Sequence, residues 1–151
     1  MDGALAWDAN WAWSLPLIVV TVMFHVVGLV FINDKIFRAR AYVRKRHNFL
    51  LAFAPIMGVA TLWVTLLHAV EAGIWAAMYW FLGALGDGKG ALLYSLGAMT
   101  TYGHASDYLA AHWQLMGTLE ALNGVILYGL TTAFLFNMIR EVCDRGPTEQ
   151  P

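Results

Sequence analysis

The sequence predicts an all-α membrane protein in which three transmembrane helices are joined by one shorter helix that enters the bilayer and returns. Three observations predict it. The 151 residues are 60% hydrophobic and only 13% charged, with a mean hydropathy of +0.59, whereas about a quarter of the residues in an average soluble domain are charged. Three apolar stretches are long enough to cross about 30 Å of hydrocarbon. A fourth, Ala91 to Thr101, reaches only roughly 16 Å as a helix and is followed by Tyr102, Gly103, His104 and Ala105, whose backbone is then left at membrane depth. Lipid cannot satisfy such backbone, so it must be buried in protein or line water. A half-length helix leading into a short Thr/Gly-containing segment is how ion selectivity filters are built.

The elements follow in order. Met1 to Asn10 carries Asp2 and Asp8 and no Lys or Arg, so it lacks the basic n-region of a cleavable signal peptide and the first apolar segment is expected to stay as an anchor. That span runs from Ser14 to Ile32 and is closed by Asn33 and Asp34. Residues 34–48 interleave Ile36, Phe37, Tyr42 and Val43 with basic side chains. They read either as a short helix on anionic lipid headgroups or as a solvated basic turn. From Phe49 to Leu85 the only formally charged residue is Glu71, and a helix of that length, roughly 55 Å, must tilt, break near Pro55 and Gly58, or protrude. Gly83 to Gly90 is a turn-rich loop. The last span is Trp113 to Ile139, about 40 Å as a tilted helix, and the acidic tail from Glu141 is expected to be disordered.

Charge placement orients these spans. Lys35, Arg38, Arg40, Arg44, Lys45 and Arg46 crowd one loop, Arg140 and Arg145 follow the last span, and only Lys89 lies elsewhere. By the positive-inside rule the basic loop and the C-terminus are cytoplasmic, and the N-terminus is external. Trp7, Trp11, Trp13, Trp75, Tyr79, Trp80, Tyr108 and Trp113 all fall near external ends, as an interfacial belt would. Cys143 is the only cysteine, which excludes an intrachain disulfide. No HExxH, Walker loop or nucleophile elbow is present, so no enzyme is expected. The basic loop abuts two spans, which favours lipid over nucleic acid as its partner.

The segments HAVEAGIWA, ALLYSLGAMTTYGHA and WQLMGTLEALNGVILYGLTTAFLF, in that order over Leu67 to Met138, resemble bacterial two-transmembrane-type potassium-channel-like proteins of the pore-loop superfamily, with an extra N-terminal span. The resemblance implies a four-fold homotetramer in a bacterial inner membrane that conducts K+ or Na+ passively and needs no cofactor. It divides the chain into an N-terminal part (1–48), a pore domain (49–140) and a cytoplasmic tail (141–151). Ala91 to Thr101 becomes the pore helix, and Thr101, Tyr102, Gly103, His104 and Ala105 become the selectivity filter. Thr101 and Gly103 match the Thr-Val-Gly-Tyr-Gly pattern. His104 and Ala105 depart from it, and Ser106 stands where the acidic residue is usual. Altered selectivity is the expectation, and a non-conducting or metal- or pH-sensing pore fold is the alternative. Four copies of His104 near the outer mouth would titrate or bind a divalent metal, or else pack against the pore helix.

Glu71 and Glu120 are intramembrane carboxylates, and such groups need partners. His68 lies one turn before Glu71 on the same helical face. His68, Glu71, Glu120 and Asn123 are therefore expected to meet behind the pore helix, where they either brace the filter, with at least one carboxyl protonated, or link gating to protons. Gly124 and Gly129 permit close helix packing or a gating hinge. Thr131 and Thr132 either face a pore vestibule or bond back to their own helix. His25, His68 and His112 fall on three different spans and suggest a haem-binding bundle as a rival from another class, with His112 poorly placed in depth.

Overall fold

The computed structural model describes residues 3–43, 49–103 and 108–143. They form α1 (Gly3–Val43), α2 (Phe49–Phe81), α3 (Gly88–Met99) and α4 (Gln114–Cys143), the last opened by a 3-10 turn over Ala111–Trp113. α1, α2 and α4 contain stretches long and apolar enough to cross a membrane; α3, with 12 residues, spans only about 18 Å. No strand occurs among the described residues. The chain thus has the helical make-up of a multi-pass membrane protein.

Helix ends differ from the sequence expectation in instructive ways. α1 does not stop at Asn33 and Asp34 but runs on to Val43. No Gly or Pro interrupts that stretch, Arg38 pairs with Asp34 one turn earlier at 2.7 Å, and Ile36 is buried with Ile32, Ala60 and Met138. Residues 34–43 therefore continue α1 and form neither a separate helix nor a turn; 44–48 lie outside the described residues, as do His104 and Ala105. α2 runs unbroken through Pro55. α3 begins at Gly88, ahead of the expected Ala91, because Asp87 has extended backbone and its carboxylate accepts the Gly90 N–H at 2.7 Å. An N-cap of this kind satisfies a donor that the first helical turn leaves unpaired. α3 ends at Met99, and Thr101 turns into the left-handed region with φ 56°.

α3 packs between α2 and α4, while α1 packs on α2 and α4. At the end bearing the α2–α3 turn, Trp75, Tyr79, Tyr94, Trp113 and Met116 form the largest apolar cluster. Ala72, Met99 and Leu127 close it below the end of α3. Leu29, Val64 and Leu67 follow, and Ile32, Ile36, Ala60 and Met138 fill the basic end. The aromatic belt is smaller than expected. Trp75, Tyr79 and Trp113 are buried in the chain's own core, whereas Trp7, Trp80 and Tyr108 are exposed. Trp63 instead ties two helices, its indole N–H donating to the Gly28 carbonyl at 3.0 Å. A methyl on Gly28 would come within 2.5 Å of Leu67 Cδ2, so the end of the Leu67 side chain would have to shift to admit it.

Candidate functional site

Polar residues on α1 organise the interior. Asn10, Ser14, Thr21 and His25 are all buried and recur at intervals of about one or two turns, so one stripe of an otherwise apolar helix faces α2 and α4. At its head, Asn10 Nδ2 donates to the Ala6 and His112 carbonyls, each at 2.6 Å, and Asn10 Oδ1 accepts the Met116 N–H at 2.8 Å. Met116 lies in the first turn of α4, where backbone donors have no partner within the helix. α1 therefore caps α4 across the bundle.

Deeper in, Glu120 of α4 meets α2 and α3. Tyr79 donates to Glu120 Oε2 at 2.6 Å, and the Ser95 hydroxyl touches Glu120 Oε1 in a very short hydrogen bond. Ser95 also lies 2.8 Å from the Ala72 carbonyl. A hydroxyl has one proton and the carbonyl can only accept. Both Ser95 contacts are satisfied together when Ser95 donates to Ala72 and a protonated Glu120 donates to Ser95. Beside this group, Tyr79 and Tyr94 stack edge to face with centroids 5.4 Å apart, and Gly117 makes room for the Tyr94 hydroxyl. Asn123 turns toward α1, donating to Thr21 Oγ1 at 2.9 Å, while Thr21 bonds back to the Leu17 carbonyl at 2.8 Å.

Below the end of α3 lies a closed ring of side chains from three helices. His25 Nδ1 is 2.8 Å from Glu71 Oε1, and His68 Nδ1 is 3.2 Å from Glu71 Oε2. On the far side, the Thr131 hydroxyl is 3.1 Å from His25 Nε2 and 3.1 Å from His68 Nε2. The two imidazole centroids are 5.1 Å apart, and Tyr128 stacks on His68 at 4.3 Å. Glu71 and His25 are wholly buried, and His68 and Thr131 nearly so. The ring sits next to the Ala72–Met99–Leu127 cluster, with Glu71 adjacent to Ala72 and Thr131 one turn beyond Leu127.

The expected quartet therefore separates. His68 and Glu71 come together, but with His25 and Thr131; Glu120 joins Tyr79 and Ser95; Asn123 joins Thr21. Gly124 is packed against the Met99 backbone, whereas a side chain at Gly129 would meet open space. Thr132 is exposed and bonds back to the Tyr128 carbonyl at 2.8 Å. Of the filter segment, Thr101, Tyr102 and Gly103 are all exposed, with left-handed backbone at Thr101 (φ 56°) and Gly103 (φ 86°). His112 stands apart from His25 and His68, its ring against Trp113 at 5.5 Å.

Asn10, Ser14 and Thr21 are the contributors that a search for charged motifs overlooks, while His25, read from the sequence as a candidate haem ligand, lies against Glu71. Their shared face was the available signal. Comparisons with protein families, with curated proteins and with solved structures give no match for this chain.

Proposed function

We propose that the chain is the subunit of a homotetrameric pore-loop cation channel, with Ala91 to Thr101 in the pore helix and Thr101 to Ala105 as the filter. The observation that carries this reading is α3 with its exit. A helix too short to cross the bilayer is wedged between two that can, and its end rests on Gly124 of α4. Thr101 and Gly103 then take left-handed backbone on either side of Tyr102, which is 91% exposed. Non-glycine residues adopt that conformation at a cost of roughly 1–2 kcal/mol. In a filter, backbone carbonyls of such a short segment replace the hydration shell of the ion. The C-terminal end of α3 adds the negative pole of its own dipole.

An open groove of about 270 Å³ beside this exit, lined by Gly97, Thr101, Gly103, Gly117, Thr118 and Ala121 among others, offers small side chains to a neighbouring copy. The tetramer places the filter on the shared axis, with the N-terminus outside, the C-terminus in the cytoplasm and the basic end of α1 against anionic headgroups. Glu120 and its partners brace α3 from behind. Monovalent cations pass without a cofactor, and the departure at His104 and Ala105 relaxes the preference for potassium. The test is the reversal potential of purified protein in planar bilayers with potassium on one side and sodium on the other. A cation current with a defined reversal potential is expected. Silence from intact tetramers, beside an active control channel, overturns the reading.

A further inference from the structure

We propose that His25, His68 and Glu71 form a binding site for one first-row divalent metal ion of the zinc class, with Thr131 holding the two imidazoles from behind. Two imidazoles and a carboxylate are a three-ligand set that zinc accepts, leaving a fourth position for solvent. Among the described residues these three form a group in which one ligand atom of each lies within 4.8 Å of the others. A tetrahedral ion with bonds of about 2.1 Å separates its ligand atoms by roughly 3.4 Å, so small side-chain torsions close the site.

The orientation of the rings is what singles this cluster out. Both Nδ1 atoms face the Glu71 carboxylate and both Nε2 atoms face one hydroxyl. The Thr131 oxygen has two lone pairs and can accept from two N–H groups. With each neutral imidazole protonated at Nε2, Thr131 accepts both, and both Nδ1 atoms are left with free lone pairs on the Glu71 side of the rings. A hydrogen-bond partner on the far nitrogen is how metal-bound histidines are held in tautomer and in angle.

A second observation points to the same centre. His68 Nδ1 and Glu71 Oε2 face each other at 3.2 Å but are misaligned, so neither buried atom makes a hydrogen bond. Leaving a buried polar atom in that state is destabilising, and these are two of the atoms that an ion would join. Tyr128, stacked on His68 and partly exposed, lies between the cluster and the helix surface.

The proton balance is explicit. A neutral, ion-free ring carries three titratable protons over Glu71, His25 and His68; the metal-bound set keeps two, one on each Nε2, so the ion displaces one proton to solvent. An ionised solvent ligand would add a second.

The experiment is a titration of the chelator-stripped full-length protein, in detergent, with Co2+ followed by Zn2+. Expected are one Co2+ per chain, visible bands of a four-coordinate ion, displacement by Zn2+, and at least one proton released per ion into weak buffer. Glu71→Gln and His68→Gln should abolish the bands. Thr131→Val, which keeps all three ligands, should weaken affinity by about 10–100-fold. Each variant is compared at matched helical content and elution volume. Three outcomes overturn the site: wild type without the bands, bands retained in both Glu71→Gln and His68→Gln, or bands lost only in His104→Ala. The signal is read without ion current, so its failure leaves the channel reading standing, and silence in bilayers leaves the metal site standing.

Discussion

Gly124 of α4 lies directly against the backbone of Met99, the last residue of α3; a methyl on Gly124 would overlap the Met99 carbonyl oxygen and come within 2.9 Å of the carbonyl carbon. Backbone cannot swing aside as a side chain can, so the two helices would have to part. Gly124→Ala should therefore cost about 1–3 kcal/mol, the usual penalty of overpacking. Gly129, five residues on, has nothing within 4 Å of such a methyl. There Gly129→Ala should be neutral or stabilise by up to about 1 kcal/mol through helix propensity. Reversible unfolding in mixed micelles distinguishes the pair. Equal effects at both positions would show that the contact with Met99 does not set the cost at Gly124.

Glu120 offers a test by proton counting. If its carboxyl donates to Ser95 while accepting from Tyr79, an amide reproduces both roles: the Gln NH2 donates to Ser95 and the Gln carbonyl accepts the Tyr79 hydroxyl. Glu120→Gln should stay within about 0.5 kcal/mol of wild type, in the range of a change that keeps its hydrogen bonds. Glu120→Ala strands the Tyr79 hydroxyl and opens a cavity, and should cost about 2 kcal/mol or more. Micelle unfolding curves measure both. Equal losses in the two variants would mean that Glu120 is held as a carboxylate.

The helical class and the three spans were legible because hydrocarbon thickness imposes a length that composition reveals. The half-length α3 was legible for the same reason, and its start was misplaced only by the Asp87 cap. The pairing of His68 with Glu71 followed from helical spacing. Its partners His25 and Thr131 did not, because they lie 43 and 63 residues away from His68 on other helices and nothing local marks the contact. The burial of Trp75, Tyr79 and Trp113 is not legible in the sequence, because an aromatic near a helix end satisfies either lipid headgroups or a core. Only the packing of α2 on α3 and α4 decides between them.

Asn10 predicts a coupling between distant parts of the chain. Its side chain bonds the His112 carbonyl and the Met116 N–H, more than a hundred residues away. Asn10→Ala leaves that N–H without its cap and should cost about 1–2 kcal/mol. Asn10→Asp keeps an acceptor for Met116 but loses the donor to Ala6 and His112, so it should recover part of the loss. Amide hydrogen exchange at Met116 is the measurement. Unchanged protection in Asn10→Ala would show that α4 holds its first turn without α1.

The filter reading makes the sharpest functional prediction. Gly103 sits at φ 86°, where a methyl meets no neighbour but a side chain strains the backbone, so Gly103→Ala should destabilise its segment by about 1–2 kcal/mol. That strain falls on an exposed loop and not on the bundle. Global unfolding should barely move while cation current in bilayers falls sharply. The double variant His104→Tyr with Ala105→Gly should do the opposite, raising the preference for potassium over sodium if the outer part of the filter alone has diverged. Bi-ionic reversal potentials measure both. Unchanged ion preference in the double variant, together with full current in Gly103→Ala, would remove residues 101–105 from the conduction path.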